Sequence, residues 1–162
     1  MSPVNETGAV VSIEIEDEAW NTQPDLMAVV DAAARAALGG ETGEVVVLLT
    51  GDKAVAELNQ RFRGRSGPTN VLSFPAPHQP GAPGAPPLLG DLALAHGVCA
   101  REAAEQGKTL ADHLSHLVVH GVLHLLGHDH VAEAEAEAME QLERTILARL
   151  GVRDPYLSQP AP

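Results

Sequence analysis

The sequence predicts an α+β fold, a single domain over residues 1–162 with one small mixed sheet and about five helices. Three observations carry this. Short runs rich in Val, Leu and Ile stand beside longer stretches whose apolar residues keep helical spacing. The two kinds do not alternate in the strict strand–helix rhythm of a parallel α/β protein. No internal repeat and no linker divides the chain, and 162 residues suit one core.

The elements follow in chain order. Val10 to Ile15 alternates apolar and polar residues, as a half-buried strand does. Pro24 to Leu38 reads as a helix with Pro24 in its first turn and Gly39-Gly40 ending it. Glu44 to Leu49 is a Val-rich, buried strand. Thr50 or Asp52 is placed to cap the next helix, which runs to about Phe62 with Val55, Leu58 and Phe62 at helical spacing. Val71 to Phe74 is a short strand, and residues 75–87, with six prolines, are a Pro/Gly/Ala-rich loop. Leu88 to Ala95 is a strand interrupted at Gly90. Helices follow at about 97–106, 109–126 and 132–150, the last with Ala138, Leu142, Ile146 and Leu150 along one face. Residues 151–162 are a loop-like tail.

Aromatic residues are scarce at 2%, so the core is expected to be built from Ala, Val and Leu. A net charge of −12 argues against a generic nucleic-acid coat, which is normally basic. The charge is uneven, however. Glu133, Glu135, Glu137, Glu140 and Glu143 crowd the last helix, while Arg61, Arg63 and Arg65 form a compact basic cluster able to grip phosphate. A lone Cys99 excludes an internal disulfide and a Cys-rich zinc site, and reads as a small buried hydrophobe. Residues 1–9 lack a basic start followed by an apolar run, and no apolar stretch approaches the ~20 residues needed to span a bilayer. The expectation is a cytoplasmic protein with no membrane partner.

The run His120-Gly-Val-Leu-His124-Leu-Leu-Gly127-His128-Asp129-His130 carries the chemistry. Residues four apart share a helix face, so His120 and His124 can aim two imidazoles at one point. Gly127 can end the helix in a left-handed conformation and let His130 turn back as a third nitrogen. Three imidazoles with an open fourth position describe a catalytic zinc site, one Zn(2+) ion, rather than a closed structural one. The spacing also matches the H-E-x-x-H-x-x-G-x-x-H pattern of one zinc-protease class, but the general-base Glu is replaced by Gly121. The metal geometry is kept and the usual peptidase chemistry is not.

Further residues extend the pattern. The chain resembles the YbeY-type metal-dependent endoribonucleases, the bacterial rRNA maturation factors. The resemblance rests on the histidine motif, on Leu58-Asn59-x-x-Phe62-Arg63, on Pro68-Thr69-Asn70-Val71-Leu72-Ser73-Phe74-Pro75, on Gly90-Asp91 and on Asp154-Pro155-Tyr156, in that family's order. It implies His120, His124 and His130 as metal ligands and Arg63 as the family's arginine. It also implies maturation of the 3′ end of small-subunit (16S) rRNA and ribosome quality control, with rRNA and the ribosomal small subunit as partners. Two positions depart from the pattern: Ser66 replaces an Asp, and His128 stands where Tyr is common.

Chemically, a three-His zinc can activate water and polarise a phosphoryl oxygen. Arg63 offers a permanent, planar charge that suits phosphate, with Arg61 and Arg65 adding to the field. His116 lies one turn before His120, His113 lies further off, and Asp129 is either an orienting acceptor or a turn residue. No residue stands out as general base. The alternatives are a non-catalytic, zinc-stabilised ribosome-assembly factor and a metallopeptidase.

Overall fold

The computed structural model describes residues 8–22, 25–77, 86–128 and 132–156. Its strands are β1 (Ala9–Ile15), β2 (Gly43–Thr50), β3 (Val71–Pro75) and β4 (Leu88–Ala95), and its α-helices are α1 (Leu26–Leu38), α2 (Asp52–Arg63), α3 (His96–Glu105), α4 (Leu110–Leu125) and α5 (Glu133–Arg149). A 3-10 turn at Glu18–Thr22 seats Trp20, whose indole N–H donates to the Thr50 carbonyl at 2.7 Å. Five helices and one mixed sheet match the α+β expectation.

The sheet runs in the order β1-β2-β4-β3. β1, β2 and β4 are parallel, and β3 pairs antiparallel with β4 as an edge strand. Successive strand residues face opposite sides. Val45, Val47, Leu49, Leu92 and Leu94 therefore share one core cluster with Val30 and Ala34 of α1 and Leu114, Val118 and Val122 of α4. Ala93, Ala95 and Leu72 fall in a second cluster with Val55 of α2. Two layers of helix thus sandwich the sheet, as an internal sheet with two apolar faces requires.

Two glycines let α4 lie unusually near the sheet. A Cβ on Gly121 would meet Leu92 Cδ2 at 2.7 Å. Gly90 sits at φ 150°, just past a register shift in the β2–β4 pairing, and a Cβ there would meet the Phe74 carbonyl at 2.4 Å and Leu125 Cδ2 at 2.7 Å. The end of α4 is thereby brought against β3 and β4.

Local expectations fared unevenly. Neither Thr50 nor Asp52 caps α2: its N-cap is Gly51, without a side-chain cap. The Asp52 carboxylate instead accepts from the Val98 N–H at 3.0 Å and from Arg101 at 3.2 Å, tying the start of α2 to α3. Cys99 is buried, as expected. Pro24, residues 78–85 of the Pro-rich loop and residues 157–162 of the tail lie outside the described residues. Among the described residues, no helix is long and apolar enough to cross a membrane.

Candidate metal centre

α4 carries the site. Thr109 caps it, its hydroxyl accepting from the Asp112 N–H at 3.1 Å. His113, His116, His120 and His124 follow at spacings of three and four, and successive ring centroids stand 6.4, 6.3 and 4.6 Å apart. Beyond Leu125 the chain turns at Gly127 with φ 98°, while the His128 N–H reaches back to the Leu123 carbonyl at 3.0 Å. That is the helix end the glycine predicts.

His120 Nε2 and His124 Nε2 lie 3.1 Å apart. Two nitrogens each ~2.0–2.1 Å from one tetrahedral ion would stand about 3.3 Å apart, so this pair fits a shared metal with little movement. His130 and Asp129 lie outside the described residues.

Behind the pair is a group that sequence reasoning missed. Glu143 of α5 is buried, with a side chain 1% exposed. Its Oε1 accepts from His120 Nδ1 at 3.0 Å and His116 Nε2 at 3.1 Å, and its Oε2 accepts from the Tyr156 hydroxyl at 2.8 Å. Burial alone would raise its pKa, but the hydrogen bonds from His116 and His120 outweigh that and hold the carboxyl down at about 2. Glu143 is therefore an anion that can only accept. An acceptor at Nδ1 holds the proton of His120 there and leaves Nε2 as the nitrogen that faces His124. Burial and the bond to Glu143 push the Tyr156 pKa up, keeping its hydroxyl a donor.

His116, His120 and Glu143 also form a group whose ligand atoms lie within 4.8 Å of one another and could hold a metal ion. The two arrangements differ in access. The Glu143 oxygens are sealed and already take three hydrogen bonds, whereas His120 and His124 line an open cleft.

That cleft, about 810 Å³, is also lined by Arg63, Arg65, Asn70, His116, His128 and Tyr156. Arg63, the last residue of α2, donates from Nη2 to the Ser73 carbonyl of edge strand β3 at 2.6 Å, and its guanidinium lies 5.9 Å from the Phe74 ring centroid. Arg61 and Arg65 are exposed. The motif residues around them are structural: Asn59 donates to the Gly67 carbonyl at 2.9 Å, shaping the loop that follows α2, and Asn70 donates to Glu102 at 2.9 Å. His113 is a core histidine, 3% exposed and bonded to Glu102 at 2.8 Å, and its burial lowers its pKa.

The Gly121 position is decided by packing. Its missing side chain would point at Leu92 of β4, so α4 has no room there for the base a zinc protease carries.

Two omissions were legible in part. Met139, Glu143, Ile146 and Leu147 step along α5 at helical spacing, which sets Glu143 on the apolar stripe and apart from its solvated neighbours. Tyr156 was visible only as part of Asp154-Pro155-Tyr156. Asp154 anchors that turn, accepting from the Tyr156 N–H at 2.8 Å and from Arg144 at 3.3 Å.

The chain is similar to known proteins over most of its length. A family model described as Endoribonuclease YbeY matches residues 11–151. Endoribonuclease YbeY of Parvibaculum lavamentivorans is 51% identical over 157 residues, covering 90% of this chain and 85% of its own. The Maricaulis maris protein of the same name is 51% identical over 150 residues, covering 90% and 91%. That of Paramagnetospirillum magneticum is 49% identical over 158 residues, covering 92% and 96%. The solution structure of TM1509 from Thermotoga maritima aligns with a TM-score of 0.53 at 23% identity, over 92% of this chain and 100% of that one, a likeness of fold.

Proposed function

The chain belongs to the Endoribonuclease YbeY family, and we propose that it is a zinc-dependent single-strand endoribonuclease of rRNA processing that holds one ion on His120, His124 and His130. Its substrate in this reading is the precursor at the 3′ end of small-subunit (16S) rRNA, met in the cytoplasm on or near the small subunit, with a part in ribosome quality control. The observation that carries the reading is the 3.1 Å pair of Nε2 atoms on the wall of a cleft that also holds Arg63 and Arg65.

The ion, when bound, supplies Lewis acidity and activates water near neutral pH. The residues of the chain do the rest. Glu143 keeps His120 in the tautomer whose Nε2 is a ligand, and Tyr156 keeps Glu143 in place. Arg63 reaches around β3 into the cleft, where its fixed charge meets a phosphate and stabilises the charge that grows on it during cleavage. Position 121 offers no carboxylate to activate water for peptide cleavage and no space for one.

The test is cleavage of a small-subunit rRNA precursor by purified protein, with elemental analysis of the same sample. Cleavage that stops with a chelator and returns with zinc is expected. Bound zinc without any cleavage would leave the ion as a clip between α4 and the following loop, and the chain as a non-catalytic assembly factor.

A further inference from the structure

We propose that Phe62, braced by Phe74 and flanked by Arg61, is a stacking platform for an unpaired base of the bound RNA strand. The inference rests on the RNA-cleaving reading above and adds how the site selects single strands.

The chain has only four aromatic residues besides histidine: Trp20, Phe62, Phe74 and Tyr156. Trp20 is 1% exposed, and Tyr156 is committed to Glu143. Phe62 is the opposite case, 59% exposed on the last turn of α2. Burial does not explain its identity.

Its surroundings suit a base. Its ring meets that of Phe74 edge-on, with centroids 5.6 Å apart at 69°, which limits its freedom before any ligand arrives. The Arg61 guanidinium lies over Phe62 at 6.0 Å, and that of Arg63 lies over Phe74 at 5.9 Å. With Arg65, three of the ten Lys and Arg residues of a chain of net charge −12 fall between positions 61 and 65. Alternating cations and aromatic rings are the means by which proteins hold single strands: cations track the backbone, and rings stack the bases.

The platform is continuous with the cleft. Arg63 belongs to both, lining the cavity with His120 and His124 while lying over Phe74. A strand with one phosphate at Arg63 can pass over the β3 edge and set a neighbouring base on Phe62. In a duplex that base is stacked and paired, so the platform selects for an unpaired strand.

The test uses zinc-loaded protein and a short, unstructured, 2′-O-methyl RNA oligonucleotide carrying a fluorophore, read by anisotropy, alongside the same backbone made abasic. Phe62→Ala should weaken binding of the base-bearing strand by roughly 5- to 100-fold and leave binding of the abasic strand unchanged. Phe62→Trp should bind at least as well as wild type, and its added indole emission should be quenched by the strand. Trp20 is buried and serves as the constant background. Equal affinity of Phe62→Ala and wild type, or an equal loss on both strands, would overturn the platform. So would a wild-type dimer that Phe62→Ala dissociates without changing RNA affinity, which would make Phe62 a protein contact. If the platform alone is wrong, Phe62→Ala binds normally while wild type still cuts RNA. If wild type neither binds nor cuts RNA, the functional reading falls and the platform with it.

Discussion

Replacing Glu143 by Gln keeps the shape of the side chain and removes the charge that His116, His120 and Tyr156 converge on. Folding lowers this carboxyl from 4.5 to about 2. At ~1.4 kcal/mol per pH unit, its contribution near neutral pH is about 3 kcal/mol. The group is buried, so solvent screening removes little of it. Because the folded pKa is depressed, the contribution is nearly complete above about pH 5. It falls by about half between pH 5 and pH 3 and is gone below pH 2. For a domain of this size, about 3 kcal/mol corresponds to a melting temperature lower by roughly 6–12 °C. The loss of the anion also frees the His120 proton to move, and the support of a ligand by such a partner is worth about 10- to 100-fold in metal affinity. Melting curves of metal-free wild type and Glu143→Gln at pH 7 and pH 3 test the first part. The gap at pH 3 should be about half that at pH 7. Competition with a chromophoric chelator tests the second. Equal melting at pH 7, a gap that does not shrink in acid, or unchanged zinc affinity would contradict this role of Glu143.

Arg63→Ala should cut RNA cleavage by on the order of a hundredfold, the cost of one charge-stabilising donor, while zinc content stays intact; unchanged cleavage would return Arg63 to the surface. Gly121→Ala should lower stability by about 1–3 kcal/mol in denaturant titration, because its Cβ meets Leu92 at 2.7 Å, and unchanged stability would show that α4 and β4 can separate.

Much of the fold is local and was therefore legible. The alternation in β1 and the Gly39-Gly40 stop after α1 each report their own structure. The turn at Gly127 does the same, since only a residue tolerant of φ 98° ends α4 in that way. The order β1-β2-β4-β3 was not legible, because strand neighbours are set by packing between distant segments. The placement of β3 at the edge, where Arg63 can reach around it, follows from that order.

The site was read by the same rule. His120 and His124 declare themselves by spacing on one helix. Glu143 does not, since its partners His120 and His116 lie 23 and 27 residues away and it sits among glutamates that are solvated. Asp52 misled for the opposite reason. Its position suited a cap, but a distant N–H on Val98 and the guanidinium of Arg101 hold it instead. Gly121 read as the loss of a catalytic base, and the structure adds why no side chain stands there: Leu92 occupies the space.

Everything proposed for the cleft turns on where the ion sits. A zinc-edge anomalous difference map from crystals of zinc-loaded protein measures this directly. One peak is expected ~2.0–2.1 Å from Nε2 of His120, Nε2 of His124 and a ring nitrogen of His130, with Glu143 on the far side of His120. A peak between His116, Nδ1 of His120 and the Glu143 carboxylate would contradict it.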